Sequence, residues 1–494
     1  MVRTRSQWRA AASASRLSPE LLRMTFAWFC PHCRHDMVEW QNWADPDMDE
    51  RNRQDFRSLF DLCQVSLAFS NAAQQVLYHS VDTHYLPATR SRPRLEQFLR
   101  TIAARPDLAH SVKSVSLDSV SPESLDFFTS RDAFYRCARA LGINAPDIWH
   151  QAEHAYQSNP MTQHQGYKAF FFVNADPGSW AQYPSMPFLA SQLLTMLVAL
   201  LPNLSYFKVD TNLTELDLSR ETSNAIGLTR LPLKTLDTKT PFKFLLELSP
   251  DIGTLVCRSG RSFESLPNVQ SLPSVQSLVV DSLSMDRLTI QSVVSACIGH
   301  LSNFTFRGAS VTLGDIVQAL STEKLCASLE SIHIDCRQQV HTLHTRNRTT
   351  PSFRSFLNLR TLFLSISLLG SDTGLDNQAL VGILPDNITS LTLVGNEQGS
   401  PSVRFRDRLV GLAEAKANAS VLKNLSWVRC DVFEACDQYV KDLFEQVGVD
   451  FSYQKFPRSH GGLELDLLNE FAFMYEPALP FPMPLPQSDD DDDL

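Results

Sequence analysis

"LRTLFL", residues 359–364, places leucine at its first, fourth and sixth positions. Successive side chains of a strand face opposite ways, so Leu362 and Leu364 would share one side of an extended chain. The same spacing recurs in "VKSVSL" (112–117), "LSYFKV" (204–209), "LTELDL" (213–218), "VQSLVV" (275–280), "LSNFTF" (301–306), "LESIHI" (329–334) and "ITSLTL" (388–393). Weaker copies are "LPLKTL" (231–236), "IGTLVC" (252–257) and "LSWVRC" (425–430). With one marker residue per copy, at 207, 236, 255, 278, 304, 332, 362, 391 and 428, the steps are 29, 19, 23, 26, 28, 30, 29 and 37 residues. Each connection is long enough to hold a helix, which predicts parallel rather than hairpin pairing.

Most of these steps fall near the repeat length of about 20–29 residues that marks leucine-rich repeats. The intervening "DRLTIQSVVSACIGH" (286–300) and "TLGDIVQALSTEKLCAS" (312–328) have helical spacing. The expected fold class is therefore α/β, a solenoid of parallel strands and helices over residues 86–456. The copies are irregular, and the asparagine that usually follows the strand is mostly missing. Residues 120–190 fit the repeat least: "ALGINAPDIWHQAEHAYQ" (140–157) reads as helix and "YKAFFFVNAD" (167–176) as strand. "FLASQLLTMLVALL" (188–201) is too short for a bilayer and reads as a buried helix.

The ends differ in texture. "MVRTRSQWRAAASASR" (1–16) is rich in Arg and Ser and lacks acids, as a mitochondrial presequence does; the expected state is a disordered basic tail. From about 457 the periodicity is lost. "PALPFPMPLPQ" and the closing Asp489–Asp493 run predict a disordered tail over 457–494.

Composition narrows the function classes. The chain has 494 residues, 43% hydrophobic and 20% charged, with a formal net charge of -10. An acidic chain is a poor general ligand for nucleic acid, which needs basic groups to neutralise phosphates. The ten cysteines are too sparse for a secreted disulfide scaffold, and no apolar h-region follows the N-terminus. The expected location is the cytoplasm, the nucleus or both. The sequons at Asn203, Asn212, Asn303, Asn347, Asn387, Asn418 and Asn424 would then stay unmodified.

Near the N-terminus, "LSPELLRMTFAWFC" (17–30) has helix-start punctuation: Ser18 as N-cap, Pro19 at the first helical position, Glu20 in the first turn. Leu22, Phe26 and Phe29 recur at helical spacing, with Leu21 widening that face, and Pro31 ends the helix. Residues 36–55 are polar and acidic and read as a loop or insertion; helical periodicity resumes over 56–81. Such a bundle carries a surplus of large apolar side chains for its size, so a partner or the rest of the chain should cover them.

"LSPELLRMTFAWF" resembles the first helix of an F-box through Leu17, Glu20, Leu21, Leu22 and Phe26, with Phe29 in place of the usual last leucine. "SLFDLCQVSLAFSNAAQQVLYHSV" (58–81) resembles the second half, in the form found in fungal-type F-box proteins, and "CPHC" after the first helix is similar to them as well. Ser18, Thr25 and Leu67–Ala68 depart from the usual Pro, aliphatic residue and basic pair. The resemblance covers residues 17–85. It implies a small helical F-box followed by the leucine-rich-repeat solenoid. It further implies a substrate-receptor subunit of a cullin-type (SCF) ubiquitin ligase, docked on a Skp-type adaptor and through it on a cullin, with a protein target held by the repeats. The adaptor contact it implies comprises Leu17, Pro19, Leu21, Leu22, Phe26, Phe29, Leu62, Val65, Phe69 and Leu77. The competing reading is a repeat scaffold or protein-interaction module outside any ligase.

Catalytic chemistry is not expected. No HExxH, GxSxG or Walker A pattern occurs, and acid pairs such as Glu215/Asp217 read as solvated faces of strands. "HTLHTRNR" (341–348) is a local His/Arg cluster expected on a repeat loop. Cys30-Pro-His-Cys33 has metal-ligand spacing, with His35 nearby, but a structural zinc takes four ligands, normally from a second knuckle. The next cysteine is Cys63 and no second CxxC exists, so the expectation is a packing role, with no metal and no cofactor.

Overall fold

The computed structural model describes residues 17–34, 46–82, 94–117, 125, 127–158, 186–210, 216–240, 242–258, 272–282, 285–308, 311–337, 351–365, 379–395, 403–418, 421–431, 437–454 and 456. The expected tails at 1–16 and 457–494, the strand at 167–176 and the cluster at 341–348 lie outside them.

Three helices open the chain: α1 (Pro19–Ala27), α2 (Pro46–Leu62) and α3 (Leu67–Leu77). Ser18 Oγ accepts from the Leu21 N–H at 3.3 Å, and Ser66 Oγ accepts from Phe69 N–H at 3.3 Å, so α1 and α3 begin at hydroxyl caps. Leu22, Phe26, Leu59, Ala73 and Val76 form a core separate from that of the rest of the chain. The Phe26 and Phe69 rings lie 5.4 Å apart across it. The loop expected over 36–55 is corrected in its second half: α2 starts ten residues before the apolar periodicity at 56, at Pro46. The reason is electrostatic. Arg34 donates to Asn52 Oδ1 at 2.9 Å and to the Asp55 carboxylate, so the polar turns of α2 hold a half-buried cation.

Among the described residues twelve strands follow, all parallel and adjacent in chain order. They are β1 (Ser80–Asp82), β2 (Ser114–Leu117), β3 (Tyr206–Val209), β4 (Thr235–Thr238), β5 (Thr254–Cys257), β6 (Ser277–Asp281), β7 (Asn303–Arg307), β8 (Ser331–Asp335), β9 (Thr361–Ser365), β10 (Ser390–Val394), β11 (Trp427–Cys430) and β12 (Asp450–Tyr453). The marker residues are direct register partners from Phe207 through Leu236, Leu255, Leu278, Phe304, Ile332, Leu362 and Leu391 to Val428. A one-residue slip would turn this whole apolar row over, which is why the spacing specifies the register.

Among the described residues, helices occupy every connection except β5–β6 and β8–β9. α4 (Arg94–Ala104) and α5 (Pro106–Ser111) precede β2; α6 (Phe127–Ala140), α7 (Ala145–Ser158) and α8 (Met186–Leu200) precede β3. Then come α9 (Arg220–Ile226), α10 (Lys243–Leu248), α11 (Arg287–Ala296), α12 (Leu313–Leu320), α13 (Glu323–Ser328), α14 (Ala379–Ile383), α15 (Val403–Ala417) and α16 (Gln438–Gln446). Leu245, Ile290, Ile316, Leu409 and Phe444 from the helices share one core with Phe207, Leu236, Phe304, Ile332 and Leu391 from the strands. The alternate strand residues, such as Lys208, Asp237, Thr305 and His333, face away from that core. This is a solenoid-like α/β array, with α6–α8 thickening one end through Trp149, whose ring lies 5.1 Å from both Phe134 and Phe188.

Two expectations change, and one strand was missed. Ser80 and Val81, read as the end of a helix, belong to β1, and β12, which the sequence did not mark, lacks the leading apolar residue of the other copies. The "LTELDL" copy is not a strand where it is described: residues 216–219 are irregular. Asp217 explains it. Its carboxylate accepts from the backbone N–H groups of Leu218 and Phe244 at 2.8 Å, capping α10 instead of facing solvent from a sheet.

The asparagines sit before the strands instead of after them. Three residues ahead of β3, β9 and β10, Asn203, Asn358 and Asn387 donate from Nδ2 to the carbonyls of His110, Ala327 and Leu357 in the preceding coil, at 2.7, 2.6 and 2.7 Å. Ser328 does the same before β8, donating to Leu301 O at 2.8 Å. Asn203 and Asn387 are sequon residues whose amide nitrogens are thus engaged. Each such bond should contribute about 1 kcal/mol net. Asn358→Ala and Asn387→Ala are expected to lower the urea midpoint singly and to add when combined, whereas alanine at a non-ladder position such as Asn224 should leave it nearly unchanged.

Candidate functional site

The apolar surplus of α1 divides between its two faces. Leu22 and Phe26 are 2% and 4% exposed, inside the helical core. They were expected in a partner contact, and burial removes them from it: with α3 packed on that face, they hold the module together. Phe29, Leu62, Phe69 and Leu77 are partly buried against the same core. Leu17, Pro19, Leu21 and Val65 are exposed.

The outward stripe of α1 is Leu17, Leu21, Met24 and Trp28, at steps of four, three and four residues, with exposures of 45%, 50%, 68% and 73%. Phe60 and Leu67, at the end of α2 and the start of α3, are exposed as well. Met24, Trp28, Phe60 and Leu67 were missed from sequence. The signal was present, since 17, 21, 24 and 28 is itself a helical spacing, but two apolar stripes on one helix do not reveal which one the protein's own core takes.

At the end of α1 the chain turns back on itself: Cys30 N–H donates to Ala27 O at 3.1 Å and Arg34 N–H to Cys30 O at 3.1 Å. This turn brings Cys30, His32 and Cys33 beside His79, which follows α3. Cys33 Sγ lies 3.1 Å from His79 Nδ1 and 3.8 Å from His32 Nδ1, and Cys30 Sγ lies 4.0 Å from His79 Nδ1. The Cys33 thiol is lowered well below the usual thiol range by a hydrogen bond from Cys30 and by His32 and His79; the same bond, with burial, raises Cys30. The expectation of a missing fourth ligand is corrected here: it counted ligands along the chain, and a fourth candidate, His79, comes from across the fold.

A third feature lies on the sheet face turned away from the core. Arg258 Nε and Nη2 pair with Asp237 at 2.5 and 2.8 Å, and Arg258 Nη1 is 3.7 Å from Asp281. Further along, Arg337 pairs with Asp335 at 3.0 Å and with Asp431 at 3.2 Å. Arg307 stands between the two groups, in register with both Asp281 and Asp335. Burial would raise the Asp335 carboxyl, but the hydrogen bonds and charge of Arg337 hold it below the ordinary value. Burial raises Asp431 to about 6. The His333 ring stacks on Phe363 at 3.8 Å, and Phe363 meets Phe456 edge-on at 5.6 Å.

Burial, reinforced by the charges of Arg307 and Arg337 against that of Asp335, lowers His333 to about 3. Its unfolded-state value is about 6.5, so the unfolded chain binds the extra proton and stability is lost as pH falls from about 6.5 towards 3. His333→Phe keeps the stack and removes the titration. The acid limb of its stability-versus-pH curve should be shallower than that of wild type over this window. Identical limbs, measured by urea midpoints at successive pH values, would refute the assignment.

No protein-family model matches the chain, and no curated protein matches it. Among the described residues no helix is long and apolar enough to cross a membrane.

Proposed function

We propose that this chain is a non-catalytic substrate-receptor subunit of a cullin-type ubiquitin ligase, built as an F-box followed by irregular leucine-rich repeats. It would bind a Skp-type adaptor, and through it a cullin, by the helical module, and a target protein by the repeats, in the cytoplasm or nucleus. The observation that carries this reading is the outward stripe Leu17, Leu21, Met24 and Trp28 on a module that has its own core. Large apolar groups exposed together on one helix face favour a protein partner over water. The sequence resemblance over 17–85 names the partner class. Co-expression of the full chain with a Skp-type adaptor and cullin tests the reading: a stable ternary complex is expected. A chain that folds and never binds the adaptor leaves the repeat-scaffold reading in its place.

A further inference from the structure

That reading makes no use of the cluster at the end of α1. We propose that Cys30, His32, Cys33 and His79 form a structural zinc site that clamps the end of the first helix to the junction of α3 and β1. The proposal stands on side-chain chemistry and geometry and does not depend on the partner of the helical module.

Each of the four residues offers one ligand atom, and all of these atoms lie within 4.8 Å of one another. Zinc–sulfur bonds of about 2.3 Å and zinc–nitrogen bonds of about 2.0–2.1 Å in a tetrahedron put neighbouring ligand atoms roughly 3.3–3.8 Å apart. The separations of 3.1, 3.8 and 4.0 Å straddle that range, so small side-chain rotations suffice. Two thiolates with two imidazoles are the donor set of structural zinc; calcium and magnesium need oxygen ligands. Charge agrees. Two thiolates balance one divalent cation, each thiol releasing its proton to solvent on binding, and a neutral site suits a place where Cys30 is only 1% exposed. The nearby Arg34 is neutralised separately by Asp55.

The backbone around the ligands is held on both sides. The turn from Ala27 to Arg34, closed by Cys30 N–H to Ala27 O and Arg34 N–H to Cys30 O, carries three of them within four residues. His79 N–H donates to Val76 O at 3.1 Å, and His79 O accepts from the N–H groups of Lys113 and Ser114 at 3.0 and 2.9 Å. The fourth ligand is therefore anchored to β2, and zinc would join α1 to the first turns of the sheet across a separation of 46 residues. A plain hydrogen-bonded cluster would not require every member to be a nitrogen or sulfur ligand.

The test is elemental analysis of the full chain purified under reducing conditions without chelator. One zinc per chain is expected. Cys33→Ser and His79→Ala should lose most of it, and Cys63→Ser, which changes a neighbouring cysteine outside the set, should keep it. His79→Cys replaces one zinc ligand by another and should also retain one zinc, which separates ligation from any general failure to fold. Cobalt loaded in place of zinc should give the visible absorption of a tetrahedral thiolate site in wild type, and a stronger thiolate band in His79→Cys. Metal-free wild type, full zinc in both Cys33→Ser and His79→Ala, a metal-free but soluble His79→Cys, or a Cys30–Cys33 disulfide as the stable form in the reduced preparation would each overturn the proposal.

Discussion

Replacing Leu21 and Trp28 together with alanine is expected to strip the Skp-type adaptor from the full chain while the repeats stay folded. Both side chains lie on the outward stripe of α1, half to three-quarters exposed, so neither contributes much to the module's own core. At the centre of an interface each such anchor typically costs ~2 kcal/mol or more on truncation, so the pair should weaken binding on the order of 10³-fold. The contrasting pair is Leu22 and Phe26, one turn apart on the inward face. Truncating these should cost about 2–5 kcal/mol each in the stability of the helical module, because each removal leaves a cavity. Both double variants would lose the adaptor, for different reasons, and circular dichroism with a melting curve tells them apart. Leu21→Ala/Trp28→Ala should melt as wild type does; Leu22→Ala/Phe26→Ala should show an early loss of helix. In cells the outward variant should still capture its targets, which then accumulate. An outward variant that holds the adaptor at wild-type affinity would exclude this stripe as the contact.

How far the sequence could be read depended on whether the signal was local. The strand register was legible because Leu236, Phe304, Ile332 and their partners repeat one spacing, and in a parallel array that spacing is the register. The start of α2 was not, because its polar residues are explained only by Arg34, which reaches them from an earlier turn. Asp217 looked like a solvated strand residue because the N–H groups it caps belong to α10, 27 and 28 residues later. The Cys/His set was half legible: "CPHC" announced three candidate ligands, but His79 joins them only when α3 folds back beside α1. The buried ion pairs on the sheet face away from the helices were hardest. Single Asp and Arg residues at strand ends carry no periodic signal, and their pairing emerges only once the strands lie side by side.

Those charges carry the second large effect. Asp335 accepts from Arg337 Nη2 at 3.0 Å and Nε at 3.1 Å, from the Arg337 N–H at 3.0 Å and from Ser365 Oγ at 3.1 Å. Arg337 also reaches Asp431 at 3.2 Å and the Phe456 carbonyl at 2.9 Å, groups 94 and 119 residues further along the chain. One guanidinium thus ties β8 to the end of β11 and to Phe456, three residues past β12. It is 3% exposed, so it cannot fall back on water. Asp335→Ala should therefore cost about 3–5 kcal/mol, the usual consequence of leaving one member of a buried ion pair without its main partner. Replacing both, Asp335→Leu with Arg337→Met, removes the charge to be solvated as well as the attraction, and should cost less than the single change. Urea unfolding of the full chain measures both. A double variant less stable than Asp335→Ala would mean that the ties to Asp431 and Phe456, and not the Asp335 pair, carry the stabilisation. In that case Arg337→Met alone should reproduce the double variant's loss.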